Sequence, residues 1–242
     1  MKTQIIYEDN DILVCYKPAG IAVQTASSFQ QDMVSELKNY LAQNYNTTGQ
    51  SHGKPGKEPY IGVVHRLDQP VSGVLVFAKN QPAAADLSAQ VQDGRARKVY
   101  RACVCGTFLE DHREGILEDI LIKDAKTNTS RVVKSGSKEA KQGKKAKLTY
   151  KVLQEIALED GMYSEVEIQL FTGRHHQIRV QCSNAGHPIL GDTKYGTPKS
   201  LELSAKTENG LKLCAYSLSF IHPKTKKKMT FSVPHLPWLR ES

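Results

Sequence analysis

No stretch of this sequence is apolar for long enough to cross a bilayer, and Met1–Tyr7 lacks the apolar core of a signal peptide. Both absences set the expectation of a cytoplasmic protein with no membrane partner. Cysteines are few and odd in number: Cys15, Cys103, Cys105, Cys182 and Cys214. Most lie inside apolar runs, which suits buried thiols in a reducing compartment better than a disulfide framework. Cys103 and Cys105 stand two apart on an expected strand and so share a face, and no second Cys or His pair has zinc-ligand spacing. No metal is expected. A general acid–base pair of carboxylates is also lacking. Glu165, Glu167 and Gln169 alternate with Val166, Ile168 and Leu170, and read as the solvated face of a strand.

Charge of one sign is in excess. The formal net charge is +8, with a pI near 9.1. Such a balance is consistent with a polyanion partner, most often nucleic acid. The excess is clustered. Lys134, Lys138, Lys141, Lys144, Lys145 and Lys147 form one run, and Lys224, Lys226, Lys227 and Lys228 another. They are either solvated loop faces or phosphate contacts, which give affinity and salt dependence without sequence specificity.

With 242 residues the chain can bury a substantial core. One domain is expected over 1–242. Gln4–Tyr7 and Ile12–Tyr16 read as strands joined by a turn, and Lys17-Pro18-Ala19-Gly20 breaks the pattern. Asp32 can cap a helix whose Met33, Val34, Leu37, Tyr40 and Leu41 line one face. The polar, Gly-containing segment from Asn44 to Pro59 is expected to be a mobile loop. Asn80 and Pro82 start a helix that Gly94 ends. Glu110–Ser137 reads as strand, loop and strand, with a loop over Leu121–Lys147. Leu148–Ile156 and Met162–Phe171 form a hairpin.

Three stretches carry chemistry. The first is His65-Arg66-Leu67-Asp68-Gln69-Pro70-Val71-Ser72-Gly73, between the strand-like runs Ile61–Val64 and Val74–Ala78. It places a base, a guanidinium and a carboxylate at the lip of a sheet, where burial and a partner charge can make a carboxylate reactive. An ordinary polar loop with an Arg–Asp pair fits the spacing equally well. The second is Lys98-Val99-Tyr100-Arg101-Ala102 on a strand of β formers. The third runs from Thr172-Gly173-Arg174-His175-His176-Gln177-Ile178-Arg179 to Gly191-Asp192 and Tyr195-Gly196. A helix is expected over Arg174–Ala185, stopped by Gly186. Arg174 would then oppose the helix dipole in its first turn and need a compensating anion.

The order and content of these stretches resemble the RluA-type RNA pseudouridine synthases, whose signatures read HRLDxxTSG, K-x-Y-x-A and GRxHQIR followed by GhPIlGDxxYG. The likeness runs from about Tyr7 to Trp238. It departs at Val71, where Thr is usual, at Gln181 and at Cys214. The resemblance implies an α+β pseudouridine synthase fold, with a bent, mostly antiparallel central sheet flanked by helices and loops and a basic catalytic cleft. It implies that Asp68 is the nucleophile, that Tyr100 stacks on the target uracil and that Arg179 pairs with Asp68. Arg66 would enter the RNA as the base flips out, His65 would belong to the same RNA-binding and base-flipping group, and Arg174, His176 and Gln177 would brace the cleft. The short segment ahead of the first strand implies that the family's optional amino-terminal RNA-binding domain is absent.

The reaction asks for these residue types. The bond from ribose to nitrogen 1 of uracil breaks, the base turns, and carbon 5 takes its place. A carboxylate must stay ionised in a dry cleft, where burial raises its pKa and a fixed Arg opposes that. Removing a base from its stack costs a few kcal/mol, offset by stacking and an inserted side chain. Neither redox nor metal chemistry is called for, so no cofactor is expected. The expected partner is an rRNA or tRNA stem-loop, bound by a monomer. The alternatives are a catalytically silent RNA-binding module on the same fold, which would not need Asp68, Tyr100 and Arg179 together, and a carboxylate-based hydrolase, which would need a second carboxylate or a metal cluster.

Overall fold

The computed structural model describes residues 3–26, 30–48, 58–207 and 210–238, with side chains left aside at 44–48. In chain order the elements begin with β1 (Gln4–Glu8), β2 (Ile12–Lys17), α1 (Met33–Thr48), β3 (Gly62–Val63), β4 (Ser72–Ala78) and α2 (Gln81–Asp93). There follow β5 (Arg97–Cys105), β6 (Glu114–Asp124), β7 (Thr129–Val133), β8 (Lys144–Leu158) and β9 (Gly161–Leu170). The chain closes with α3 (Gln177–Asn184), α4 (Pro198–Thr207), β10 (Leu213–Ile221) and β11 (Lys228–Ser232). The mixture is α+β, and every strand pair described below is antiparallel.

Contacts divide the chain into two compact units, residues 1–97 with 217–233 and residues 98–216 with 234–242. In the first, β2 pairs with β1 and with β4, running from Ile12 opposite Ala78 to Lys17 opposite Gly73. Every residue of β4 is buried, and Val74–Ala78 within it is the unbroken apolar run of a strand covered on both faces. β3 pairs with β4, and the end of β10 pairs with β11. Helix α2 has the expected boundaries: Asn80 accepts the Ala83 N–H at 2.9 Å, Pro82 sits in the first turn, and Gly94 ends the helix at φ 82°. Asp32 likewise caps α1, accepting the Ser35 N–H at 2.8 Å.

Helix α1 is longer than expected. It runs to Thr48, through Asn44–Thr48, which had been assigned to a loop; Asn and Thr are weak helix formers but no Gly or Pro interrupts them. The remainder of that loop, 49–57, lies outside the described residues.

In the second unit the strand order is β5-β9-β8-β6-β7. The hairpin β8–β9 turns between Leu158 and Gly161 and carries a bulge between Val152 and Gln154. Much of the segment 121–147, expected as a loop, belongs to β6, β7 and β8. Helix α3 sets Val180 against Leu121 and Ala146, and α4 sets Leu203 against Cys103, Cys105 and Leu190. Helix α4 had not been expected. Its start is nevertheless written locally: Thr197 Oγ1 accepts the Ser200 N–H, Ser200 Oγ accepts the Thr197 N–H, and Pro198 takes the first position.

Glu165 corrects the expected solvated face. It is 6% exposed, because β9 lies between β5 and β8 and each neighbour supplies a partner. Arg101 of β5 pairs with Glu165 and Glu167, and Gln154 of β8 donates to Glu165 at 2.7 Å. All five cysteines are free and buried, and burial pushes the Cys103 and Cys182 thiols up to about 12.

Candidate active site

The loop from His65 to Gly73 is fixed from beneath. Lys17, at the end of β2, is fully buried. Its ammonium donates to the carbonyl oxygens of Ile21 at 2.7 Å, Gln69 at 2.9 Å and Pro18 at 3.0 Å. Gly20 N–H donates to the Gln69 carbonyl at 2.8 Å, and the Gln69 side chain returns a bond to the Gly20 carbonyl. Val71 N–H closes a turn onto the Asp68 carbonyl. The Lys-Pro-Ala-Gly break and the HRLD loop are therefore one device, joined at Gln69, the residue after Asp68. Burial pulls the Lys17 ammonium down to about 8, while the Asp68 charge pushes it back up.

The other members of this loop divide between surface and interior. Arg66 is exposed. Leu67 and Val71 are buried, so Val71 occupies a packing position. His65 turns inward: its Nε2 accepts the Val76 N–H at 3.3 Å, which ties the loop to β4.

Tyr100, Arg174, His176, Gln177 and Arg179 belong to the second unit. Tyr100 lies on β5 opposite Ile168 and is 7% exposed. Arg174 precedes α3 rather than entering it, because His176 adopts φ 53° and only Gln177 begins the helix. The expected clash with the helix dipole does not arise; Arg174 Nε instead donates to the Lys145 carbonyl at 2.8 Å. Gln177 is committed to the fold. Its Oε1 accepts from Thr172 Oγ1 and Arg174 N, and its Nε2 donates to the Lys147 carbonyl and to Gln181.

Arg179 is 4% exposed and has a carboxylate partner that sequence reasoning passed over. Asp192 is fully buried and receives Arg179 Nε at 2.7 Å and Nη2 at 2.6 Å. The Tyr195 ring lies under the guanidinium at 5.1 Å. Tyr195 in turn accepts the Ser130 N–H at 2.7 Å and bonds Nδ1 of His176 at 2.7 Å. Burial first, then the charges of His175 and Arg179, hold His176 down to about 3. The ring is neutral near pH 7. The signal that could have found Asp192 was in view, since Gly191-Asp192 lies in the quoted third motif.

One cluster has the composition of a metal site. Single ligand atoms of Asp9, Asp11 and His222 lie within 4.8 Å of one another. Its donors are already directed elsewhere. His222 Nδ1 accepts the Lys224 and Thr225 N–H groups, so Nε2 carries the proton and donates to Asp9 at 2.8 Å. Asn80 Nδ2 donates to Asp11 at 2.8 Å. The cluster is a hydrogen-bonded brace between the β1–β2 turn, α2 and the end of β10.

Residues 11–184 match the model of the RNA pseudouridylate synthase family. The chain is 33% identical over 233 residues to the ribosomal large subunit pseudouridine synthase C of Buchnera aphidicola, covering 95% of this chain and 66% of that one. It is 34% identical over 241 residues to the ribosomal large subunit pseudouridine synthase D of Neisseria meningitidis serogroup A, covering 97% and 58%. The chain thus spans two thirds or less of the length of these curated relatives. Among solved structures, human RNA pseudouridylate synthase domain containing 1 superposes with a TM-score of 0.70 at 23% identity, covering 96% of this chain and 83% of that one. Human RNA pseudouridylate synthase domain containing 4 gives 0.69 at 22%, covering 97% and 88%. Those two show the fold. With a family match over most of its length and relatives a third identical across nearly all of it, the chain belongs to the RNA pseudouridylate synthase family, in the RluA-type branch that its motifs resemble.

Proposed function

We propose that this protein is an RNA pseudouridine synthase, an isomerase that converts particular uridines to pseudouridine, with Asp68 as its nucleophile. The observation that carries this is the clamped turn. Asp68 is presented on a loop whose next carbonyl is held by a fully buried ammonium, a rigid mounting that a mere surface loop does not require. Asp68 bonds transiently to the ribose or to the base, the bond from ribose carbon 1′ to uracil nitrogen 1 breaks, a bond from carbon 1′ to carbon 5 replaces it, and the Asp68 carboxylate is released unchanged. The carbon 5 hydrogen leaves as a proton and nitrogen 1 gains one, so the product is an isomer and no cofactor takes part. Arg179 serves to keep the Asp68 carboxyl ionised, and Tyr100 stacks on the extracted uracil. Arg66 fills the space the base leaves, and His176 and Arg174 support the cleft. The exposed lysines of the two clusters supply phosphate contacts.

The substrate class is structured RNA, and the names of the relatives favour rRNA of the large subunit over tRNA. Transcripts labelled with tritium at uridine carbon 5 test the reaction, since every turnover releases that tritium to water. Wild-type protein is expected to release it, and Asp68→Asn to bind the same transcript with no release. Substantial residual release by Asp68→Asn would refute the nucleophile assignment. RNA binding without release by the wild type would favour the silent binder.

A further inference from the structure

We infer that Asp192 is a positioning residue for the reaction, acting through Arg179; the inference rests on the functional reading above, in which Arg179 is catalytic. Three observations converge on it.

The contact is side-on and doubly hydrogen-bonded. Asp192 takes Nε and Nη2 of Arg179 at 2.7 and 2.6 Å. That pairing fixes the plane and the direction of the guanidinium, as a single bond or a lysine would not. A guanidinium has five N–H donors, and this grip uses two. Of the other three, two lie along the Nη1–Nη2 edge and one on the far side of Nη1, in directions that Asp192 sets.

Asp192 is itself held without help from Arg179. Its Oδ1 also accepts the backbone N–H groups of Lys194 at 2.9 Å and Tyr195 at 3.1 Å. Its own N–H donates to the Ile189 carbonyl, and its carbonyl receives the Gly196 N–H at 2.8 Å. Gly191 before it adopts φ 75°, and a Cβ there would overlap the Gly210 carbonyl oxygen, so the backbone has one course. Ser183 Oγ donates to the Tyr195 carbonyl at 2.7 Å and ties the same segment to α3. The carboxylate is the template and the guanidinium is what it orients.

The Tyr195 ring under the guanidinium, 5.1 Å from its carbon, closes the third direction. The ring is held in turn by Ser130 and His176 at its hydroxyl. A buried Arg–carboxylate pair of this kind adds little to stability over an apolar pair of the same volume. Fixing the donors of a catalytic guanidinium is what such a pair does well.

The experiment compares wild type, Asp192→Asn and Asp192→Glu, using a large-subunit rRNA transcript tritiated at uridine carbon 5. Tritium release gives kcat and filter binding gives the affinity for the same transcript, with circular dichroism as the folding control. A displaced catalytic group of this kind costs about a hundredfold in rate. Asp192→Asn is therefore expected to lose kcat on that scale while its affinity for the transcript stays within about threefold of wild type. Asp192→Glu, which restores the charge on a longer arm, is expected to recover part of the loss. Folded Asp192→Asn with kcat near wild type would overturn the inference. So would a parallel fall of kcat and affinity, which marks a structural role. Should Asp192→Asn fail to fold, Asp192→Glu decides: unchanged kcat overturns the inference, and reduced kcat with retained affinity sustains it. Absence of release by the wild type would overturn the functional reading, and with it this inference; wild-type release with an unaffected variant would overturn the inference alone.

Discussion

Replacing Lys17 by Met keeps the volume of the side chain and removes its charge and its donors. Three carbonyl oxygens lie 2.7 to 3.0 Å from that ammonium in wild type. The Gln69 carbonyl keeps the Gly20 N–H, so the Ile21 and Pro18 oxygens lose most. A buried acceptor left without a donor costs about 1–3 kcal/mol, which puts the loss from these two at about 2–6 kcal/mol. For a chain of this length each kcal/mol lowers the melting temperature by about 2–4 °C, so a fall of roughly 4–24 °C is expected in a calorimetric scan at pH 7. The pH dependence is a second signature. Burial holds folded Lys17 at about 8, below its ordinary 10.5. Between those values the unfolded chain binds a proton that the folded chain has released, so wild type gains stability as pH rises, by up to about 1.4 kcal/mol per pH unit. Methionine does not titrate. The stability gap between the two proteins is expected to stay flat below pH 8 and to widen above it. A Lys17→Met protein melting within about 2 °C of wild type would refute the clamp, and a gap that narrows above pH 8 would refute the burial argument.

Other predictions follow from single contacts. Asn80→Ala removes the cap of α2 and the bond to Asp11; a loss of about 1 kcal/mol is expected in urea unfolding. His176, held down to about 3 when folded, stays neutral while the unfolded chain takes up a proton below pH 6.5. Its contribution to stability is thus whole above 6.5 and is lost as pH falls toward 3. His176→Asn tolerates the same positive φ, and its melting temperature is expected to fall less steeply than that of wild type across this window.

The sequence was most legible where the signal is local. Asn80, Pro82 and Gly94 bracket α2 because capping chemistry is written within a few residues. The hairpin β8–β9 followed from alternation and a turn. Asn44–Thr48 defeated the same method, since weak propensity does not end a helix without a breaker. Helix α4 was written as locally as α2, in the reciprocal Thr197–Ser200 cap, but Ser in place of the usual Glu or Gln hid it. At the site, the family resemblance singled out Asp68 and Arg179, yet the groups that hold them are distant in sequence. Lys17 reaches Gln69 across 52 positions, and Arg179 reaches Asp192 across 13. Glu165 shows the same limit, because alternation reports two faces but not that both neighbouring strands supply partners.

Pseudouridine mapping of total RNA tests the central claim most directly, in the source organism with the gene intact, deleted, and restored as wild type or as Asp68→Asn. The account predicts that deletion removes one site or a small set, that the wild-type copy restores it, and that the Asp68→Asn copy does not. An unchanged map after deletion, or restoration by Asp68→Asn, would contradict it.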